Sequence, residues 1–176
     1  MILFVHGFNS SGQCEKCLLL QSKTNQSIIP SLDLLNVSLA LEKLENTLKQ
    51  NRVDIIIGAS LGGFYAHYLC KKYDKKLLLI NPVLNPLDYI QKVNTEAFDK
   101  KEIITKIKMI LTFNEKHHFT QDVEVLFGLD DDVVDYKKSR DIFKGISCKF
   151  YKDDHRLLSG FKDYLEQNNN LLLKYL

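Results

Sequence analysis

No stretch of the chain approaches the ~20 consecutive apolar residues that cross a bilayer, so no membrane span is expected. The apolar start, Met1 to Val5, is cut by His6-Gly7 far short of a secretory hydrophobic core, and no basic segment precedes it. A cytoplasmic protein is therefore expected. Charge of one sign is also lacking. The 24 basic and 22 acidic residues leave +2, with no basic stripe of the kind nucleic acid demands. Internal repeats are absent, and Asn168-Asn169-Asn170 is the one low-complexity patch. Cysteines number only four, and in a reducing compartment they are expected to remain thiols. What is present is 176 residues at 45% apolar content, enough for one domain with a real core and too much for a disordered chain.

Apolar runs and helical patterns alternate. Strands are expected near Ile2–Val5, Ser27–Leu32, Val53–Ile57, Lys76–Ile80, Val123–Phe127 and Ser147–Tyr151. Their nearly continuous apolar character suits a parallel sheet covered on both faces. Helices are expected near Cys14–Lys23, Val37–Lys49, Gly62–Lys72, Tyr136–Phe143 and Leu157–Gln167. Val37, Leu41, Leu44 and Leu48 recur at helical spacing and read as a core face. The fold class is α/β, with about six strands in the order 2-1-3-4-5-6. The tail 171–176 is apolar enough to pack back on the domain or to meet another subunit, and packing back is the expectation.

One segment breaks this rhythm. Residues 82–120 hold no strand pattern, only an amphipathic helix with Asp99 as N-cap and Ile103, Ile104, Ile107, Ile110 and Leu111 inward. It forms either a cap insertion over the site or an ordinary crossover helix on the sheet, and the sequence leaves both open.

The most informative pattern is Gly58-Ala59-Ser60-Leu61-Gly62, set between an apolar run and a helix. Gly-x-Ser-x-Gly in that context is a nucleophile elbow: a turn too tight for side chains two positions either side of the serine, leaving its hydroxyl at a helix N-terminus. An activated serine needs a base and an orienting acid, and in this fold they follow in the order acid, then histidine. Asp130-Asp131-Asp132-Val133-Val134 follows the fifth strand, and Asp153-Asp154-His155 follows the sixth. Both lie past strand C-termini, where open parallel sheets place their ligands.

Asp131 is the preferred acid, because it precedes Val133-Val134 by two residues, and Asp132 is its rival. The other aspartates read as a solvated turn capping the helix near Asp135. The run lacks the alternating oxygen-ligand spacing of a calcium loop, so no metal is expected. His155 is the preferred base. His6, His67, His117 and His118 read as structural groups, His67 on a helix surface. The oxyanion would be held by backbone N–H groups of Leu61, after the nucleophile, and of Phe8, in the loop after the first strand.

Four stretches now carry a resemblance. His6-Gly7-Phe8-Asn9-Ser10-Ser11, Gly58-Ala59-Ser60-Leu61-Gly62-Gly63-Phe64-Tyr65-Ala66, Leu79-Ile80-Asn81-Pro82 and Asp154-His155-Arg156-Leu157-Leu158-Ser159-Gly160-Phe161 resemble the YqiA-like family of small bacterial esterases. The likeness spans nearly the whole chain. It implies a compact α/β-hydrolase fold and carboxylester hydrolysis (EC 3.1 class), with Ser60, Asp131 and His155 at the triad positions. No cofactor is expected. The middle insertion and the Cys14/Cys17 pair fall outside it.

The expected partner is a small-molecule ester or thioester, and the oligomeric state is open. Rival readings are an acyl thioesterase or acyltransferase on the same residues, and a non-catalytic ligand-binding module. Cys14-Glu15-Lys16-Cys17 has the placement of a redox pair at a helix start. Its two long charged spacers and the complete serine apparatus favour ordinary thiols instead. Cys70 and Cys148, in a helix and a strand, do not suggest a four-thiolate zinc site.

Overall fold

The computed structural model describes residues 1–87, 90, 99–119 and 121–168. Six strands, β1 (Ile2–Val5), β2 (Ser27–Ile28), β3 (Ile55–Ala59), β4 (Lys76–Ile80), β5 (Val123–Gly128) and β6 (Ser147–Tyr151), form one sheet in the order 2-1-3-4-5-6. Every pairing is parallel. This is the topology read from the sequence, and it makes the chain an α/β-hydrolase fold. Six helices are described: α1 (Glu15–Lys23), α2 (Val37–Gln50), α3 (Leu61–Tyr73), α4 (Lys100–Lys116), α5 (Tyr136–Ile142) and α6 (Leu158–Gln167).

Alternate strand residues feed two cores. Ile2, Phe4, Ile57, Ala59, Leu78, Ile80 and Leu126 face α1 and α6, where Cys17, Leu20, Phe161 and Leu165 meet them. Leu3, Val5, Ile56, Leu77, Leu79, Val125 and Phe127 face α2, α3 and α4. The continuous apolar runs follow from burial on both faces, and each fully buried Leu or Phe contributes about 1.5–3 kcal/mol. Among the described residues no helix is long and apolar enough to cross a membrane.

The helix starts obey local chemistry. Asn36 accepts the Leu39 N–H, Asp99 those of Lys101 and Glu102, and Asp135 that of Lys137, each at the head of its helix. On α2 the buried face is Val37, Ala40, Leu44 and Leu48, with Leu41 half-buried beside it.

Three expectations need correction. β2 ends at Ile28 rather than Leu32, because Pro30 has no N–H for the ladder and the chain turns inward. There the Leu32 N–H donates to His6 Nε2 instead. The four cysteines are not all thiols: Cys14 and Cys17 are paired, their Cα atoms 5.0 Å apart across the first turn of α1, while Cys70 and Cys148 are free. The third correction is His67, which is buried rather than on a helix surface, because α3 is covered by α4 and the segments after it.

His67 packs against Phe119 and Phe143, and among the described residues neither ring nitrogen has a partner. Burial, aided by the Lys71 cation, pushes its pKa down from the ordinary 6.5 to about 3. The unfolded chain therefore binds a proton near pH 6.5 that the folded chain refuses until about pH 3. The stability His67 allows is complete above pH 6.5 and falls as the pH drops through that window. At about 1.4 kcal/mol per displaced unit, the loss amounts to a few kcal/mol. Urea unfolding of His67→Phe between pH 7 and 4 should show a flatter decline than the parent. Parallel declines would refute the assignment.

Candidate active site

The site is assembled from the C-terminal ends of five neighbouring strands. β3 runs directly through Ser60 into α3, and this abrupt turn holds Ser60 at φ 50° and ψ −124°. Such a backbone costs of order 1–3 kcal/mol and persists only where packing enforces it. The flanking glycines are required for space. A Cβ on Gly58 would lie 2.5 Å from Ala66 Cβ, and one on Gly62 would lie 2.2 Å from the Val5 carbonyl oxygen. β1 and α3 therefore close on the turn from both sides, as the motif predicts. Gly7 brings the loop after β1 into tight but less crowded contact: a Cβ there would sit 3.2 Å from Ser60 Cβ.

Three predicted side chains meet. His155 Nε2 lies 3.0 Å from Ser60 Oγ, and His155 Nδ1 lies 2.8 Å from Asp131 Oδ2 and 3.0 Å from Oδ1. The Asp131 side chain is 1% exposed, against 22% for His155. Its Oδ1 also accepts the N–H groups of Val133 and Val134, at 2.8 and 2.9 Å. This is why Asp-x-Val-Val is a meaningful spacing: the turn latches the carboxylate that the histidine needs. Asp130 and Asp132 are exposed, and the helix cap falls to Asp135. An imidazole so placed can take a proton from the hydroxyl on one edge while the carboxylate fixes its other edge.

Two cavities open onto this line. One, of about 700 Å³, is lined by Leu61, Val83, Leu84, Val133, Val134 and Ile142 among others. The other, of about 370 Å³, is bounded by Asn9, Ser10, Cys14, Lys16 and Arg156. Phe8, Ser60 and His155 belong to both. Leu61 is the first residue of α3, where N–H groups have no partner within the helix. Of the segment 82–120, Pro82 to Asn85 line the larger cavity, whereas α4 packs beside α2 and α3. Residues 88, 89, 91–98 and 120 lie outside the described residues, as does the tail 171–176.

The other histidines stand apart from this line. His6 is buried; it donates through Nδ1 to the Gly7 carbonyl and accepts the Leu32 N–H at Nε2, bracing the loop that carries Phe8. His117 ends α4, stacked on Phe113.

A comparison with family models matches residues 1–173 to an uncharacterised protein family, UPF0227. The chain belongs to this family. It is the YqiA family that the four sequence stretches resembled. Solved structures agree on the fold. Est1E from Butyrivibrio proteoclasticus aligns at TM-score 0.67 and 15% identity, covering 94% of this chain and 86% of that one. A metagenome-derived lipolytic enzyme from the LipS and LipT pair aligns at TM-score 0.72 and 16% identity, covering 98% and 93%. The esterase domain of a Rhodothermus marinus protein aligns at 0.68 and 17%, covering 99% and 85%. At such identities the likeness concerns the fold.

One residue was not singled out by sequence reasoning except within a family stretch. Asn81 follows β4 at φ 42° and is fully buried. Its Oδ1 accepts the Gly128 N–H at 2.7 Å, and its Nδ2 donates to the carbonyls of Asp154 and His155 at 3.2 and 3.1 Å. One amide thus ties the end of β5, from which Asp131 departs, to the loop that carries His155. The available signal was Asn-Pro directly after a strand, since Asn tolerates left-handed backbone and Pro stops the ladder.

Proposed function

We propose that this UPF0227 chain is a serine hydrolase that cleaves carboxylic esters through an acyl-enzyme. The observation that carries the reading is the unbroken hydrogen-bond line from Ser60 through His155 to Asp131. Ser60 Oγ attacks the ester carbonyl as His155 Nε2 takes its proton, and Asp131 keeps the imidazole oriented and stabilises it once charged. The N–H groups of Phe8 and Leu61 receive the oxyanion, a contribution of about 2.7–4 kcal/mol per donor where such donors have been removed. His155 then passes the proton to the departing alcohol and activates water to release the acid.

The acyl group is assigned to the larger cavity, where Leu61, Val83, Leu84, Val133, Val134 and Ile142 offer apolar surface beside the polar Asp135, Lys138 and Ser139. Pro82 to Asn85 thereby become its specificity wall. Ser60 is half-buried and opens to both cavities, which argues against a sealed binding module. The esterase and lipolytic neighbours support hydrolysis as the class of chemistry.

The first test is intact mass after a fluorophosphonate probe, on the parent and on Ser60→Ala. A single adduct absent from the variant is the expected result, and a chain-length series of p-nitrophenyl esters then sizes the acyl cavity. A folded parent without adduct would sink the proposal. Including acyl-CoA and alcohol acceptors in the product analysis separates hydrolysis from thioester cleavage and acyl transfer.

Asn81 supplies a further expectation. Asn81→Ala removes the tie between the acid loop and the histidine loop, and a displacement of about 1 Å can cost 10²-fold. We expect kcat to fall by about that factor with KM nearly unchanged. A variant that melts earlier but turns over normally would reduce Asn81 to a structural residue.

A further inference from the structure

We infer that Cys14 and Cys17 form a reversible thiol–disulfide site in the wall of the smaller Ser60 cavity, with Cys14 as the attacking sulfur and Cys17 as the resolving one. Three observations distinguish the roles. Cys14 is half-buried and lines the cavity that also contains Ser60 and His155, whereas Cys17 is 0% exposed in the core beneath α1. A reagent in the cavity therefore meets Cys14 alone. The two sulfurs are nevertheless in contact, so the buried one is within reach of anything bonded to the outer one.

The environment suits both redox states. Cys14 stands at the N-cap of the nine-residue α1, and its Sγ accepts the Cys17 N–H at 3.3 Å. An N–H aimed at sulfur from a helix start favours thiolate over thiol, and the thiolate is the nucleophile. Cys17 Sγ lies 3.5 Å from the Ser11 carbonyl oxygen, so the reduced S–H has an acceptor in place. Neither state leaves a buried polar group stranded. The other two thiols are poorer candidates, since burial pushes Cys70 up to about 12 and raises Cys148 as well.

The chemistry balances with a small disulfide, RSSR, as oxidant. The Cys14 thiolate attacks one sulfur of RSSR, forming the mixed disulfide and expelling RS⁻. Cys17 loses its proton and attacks the Cys14 sulfur, the bond to R breaks, and a second RS⁻ leaves. Two electrons pass from the dithiol to RSSR, and the two thiol protons end on two RSH. The intermediate adduct occupies the cavity beside Ser60, so it blocks that side of the site until Cys17 clears it. This consequence for hydrolysis rests on the proposed function; the thiol chemistry does not.

Reduced full-length protein incubated with oxidised glutathione tests the site by intact mass and peptide mapping. The parent should lose two hydrogens and retain no glutathione. Cys17→Ser should trap one glutathione on Cys14 and lose ester hydrolysis in step with adduct formation. Cys14→Ser keeps a preferred N-cap and should take up no glutathione on α1. A parent that forms no disulfide, an adduct confined to Cys148, or a Cys17→Ser protein without adduct would each overturn the inference. If no variant hydrolyses esters, the proposed function fails while the mass readout still decides the thiol site.

Discussion

Ser60→Ala is expected to lower kcat for ester hydrolysis by about 10⁶-fold, and adding His155→Ala should cost almost nothing more. The reason lies in the 3.0 Å contact between Oγ and Nε2. Without the imidazole the hydroxyl is a weak nucleophile, and without the hydroxyl the imidazole has no proton to remove. The pair acts as one unit, so the second deletion removes nothing that still works. Residual acceleration then comes from the N–H donors and from binding, which neither substitution touches. The Ser60 side chain makes no capping bond to α3, so its loss should leave the helix start and the melting temperature nearly unchanged. Steady-state and single-turnover rates on the two single variants and the double variant provide the check. Losses that multiply would mean that the two residues act independently, and the acyl-enzyme mechanism would fall.

Much of this architecture was legible because it depends on short-range rules. Nearly continuous apolar runs, as suits burial on both faces, mark six parallel strands, and Gly-x-Ser-x-Gly specifies its own turn. What escaped the sequence was tertiary. His67 reads as a surface residue because helical periodicity does not reveal that α4 and Phe119 cover α3 from outside. The apolar run 27–32 reads as one strand, yet Pro30 within it has no N–H for the ladder and β2 stops at Ile28. Asn81 is a single polar residue whose three bonds reach residues 47, 73 and 74 positions away, separations that no local pattern encodes. The Cys14-x-x-Cys17 spacing is visible in the sequence but reads there as two thiols; their pairing and their place in the cavity wall depend on how the loop after β1 folds over Ser60.

Asp131→Asn should lower kcat by about 10⁴-fold, whereas Asp132→Asn should stay within about a factor of two. The asparagine can keep one oxygen on the Val133 and Val134 N–H groups, so the turn after β5 survives. Its amide nitrogen then faces His155 Nδ1 as a donor where a carboxylate accepted. The imidazole must answer with the other tautomer, placing its proton on Nε2 opposite Ser60 Oγ, where a lone pair is needed. Geometry is kept and the proton is on the wrong edge. Asp131→Ala instead releases both N–H groups of the turn, each at a cost of about 1–3 kcal/mol if left unsatisfied, so it confuses charge with folding. Asn is therefore the cleaner substitution. Asp132 is exposed and lies off the hydrogen-bond line, so its charge is screened by solvent. Kinetics of both Asn variants at equal thermal stability decide the matter: loss confined to Asp132→Asn would move the acid by one residue and contradict the contact at His155 Nδ1.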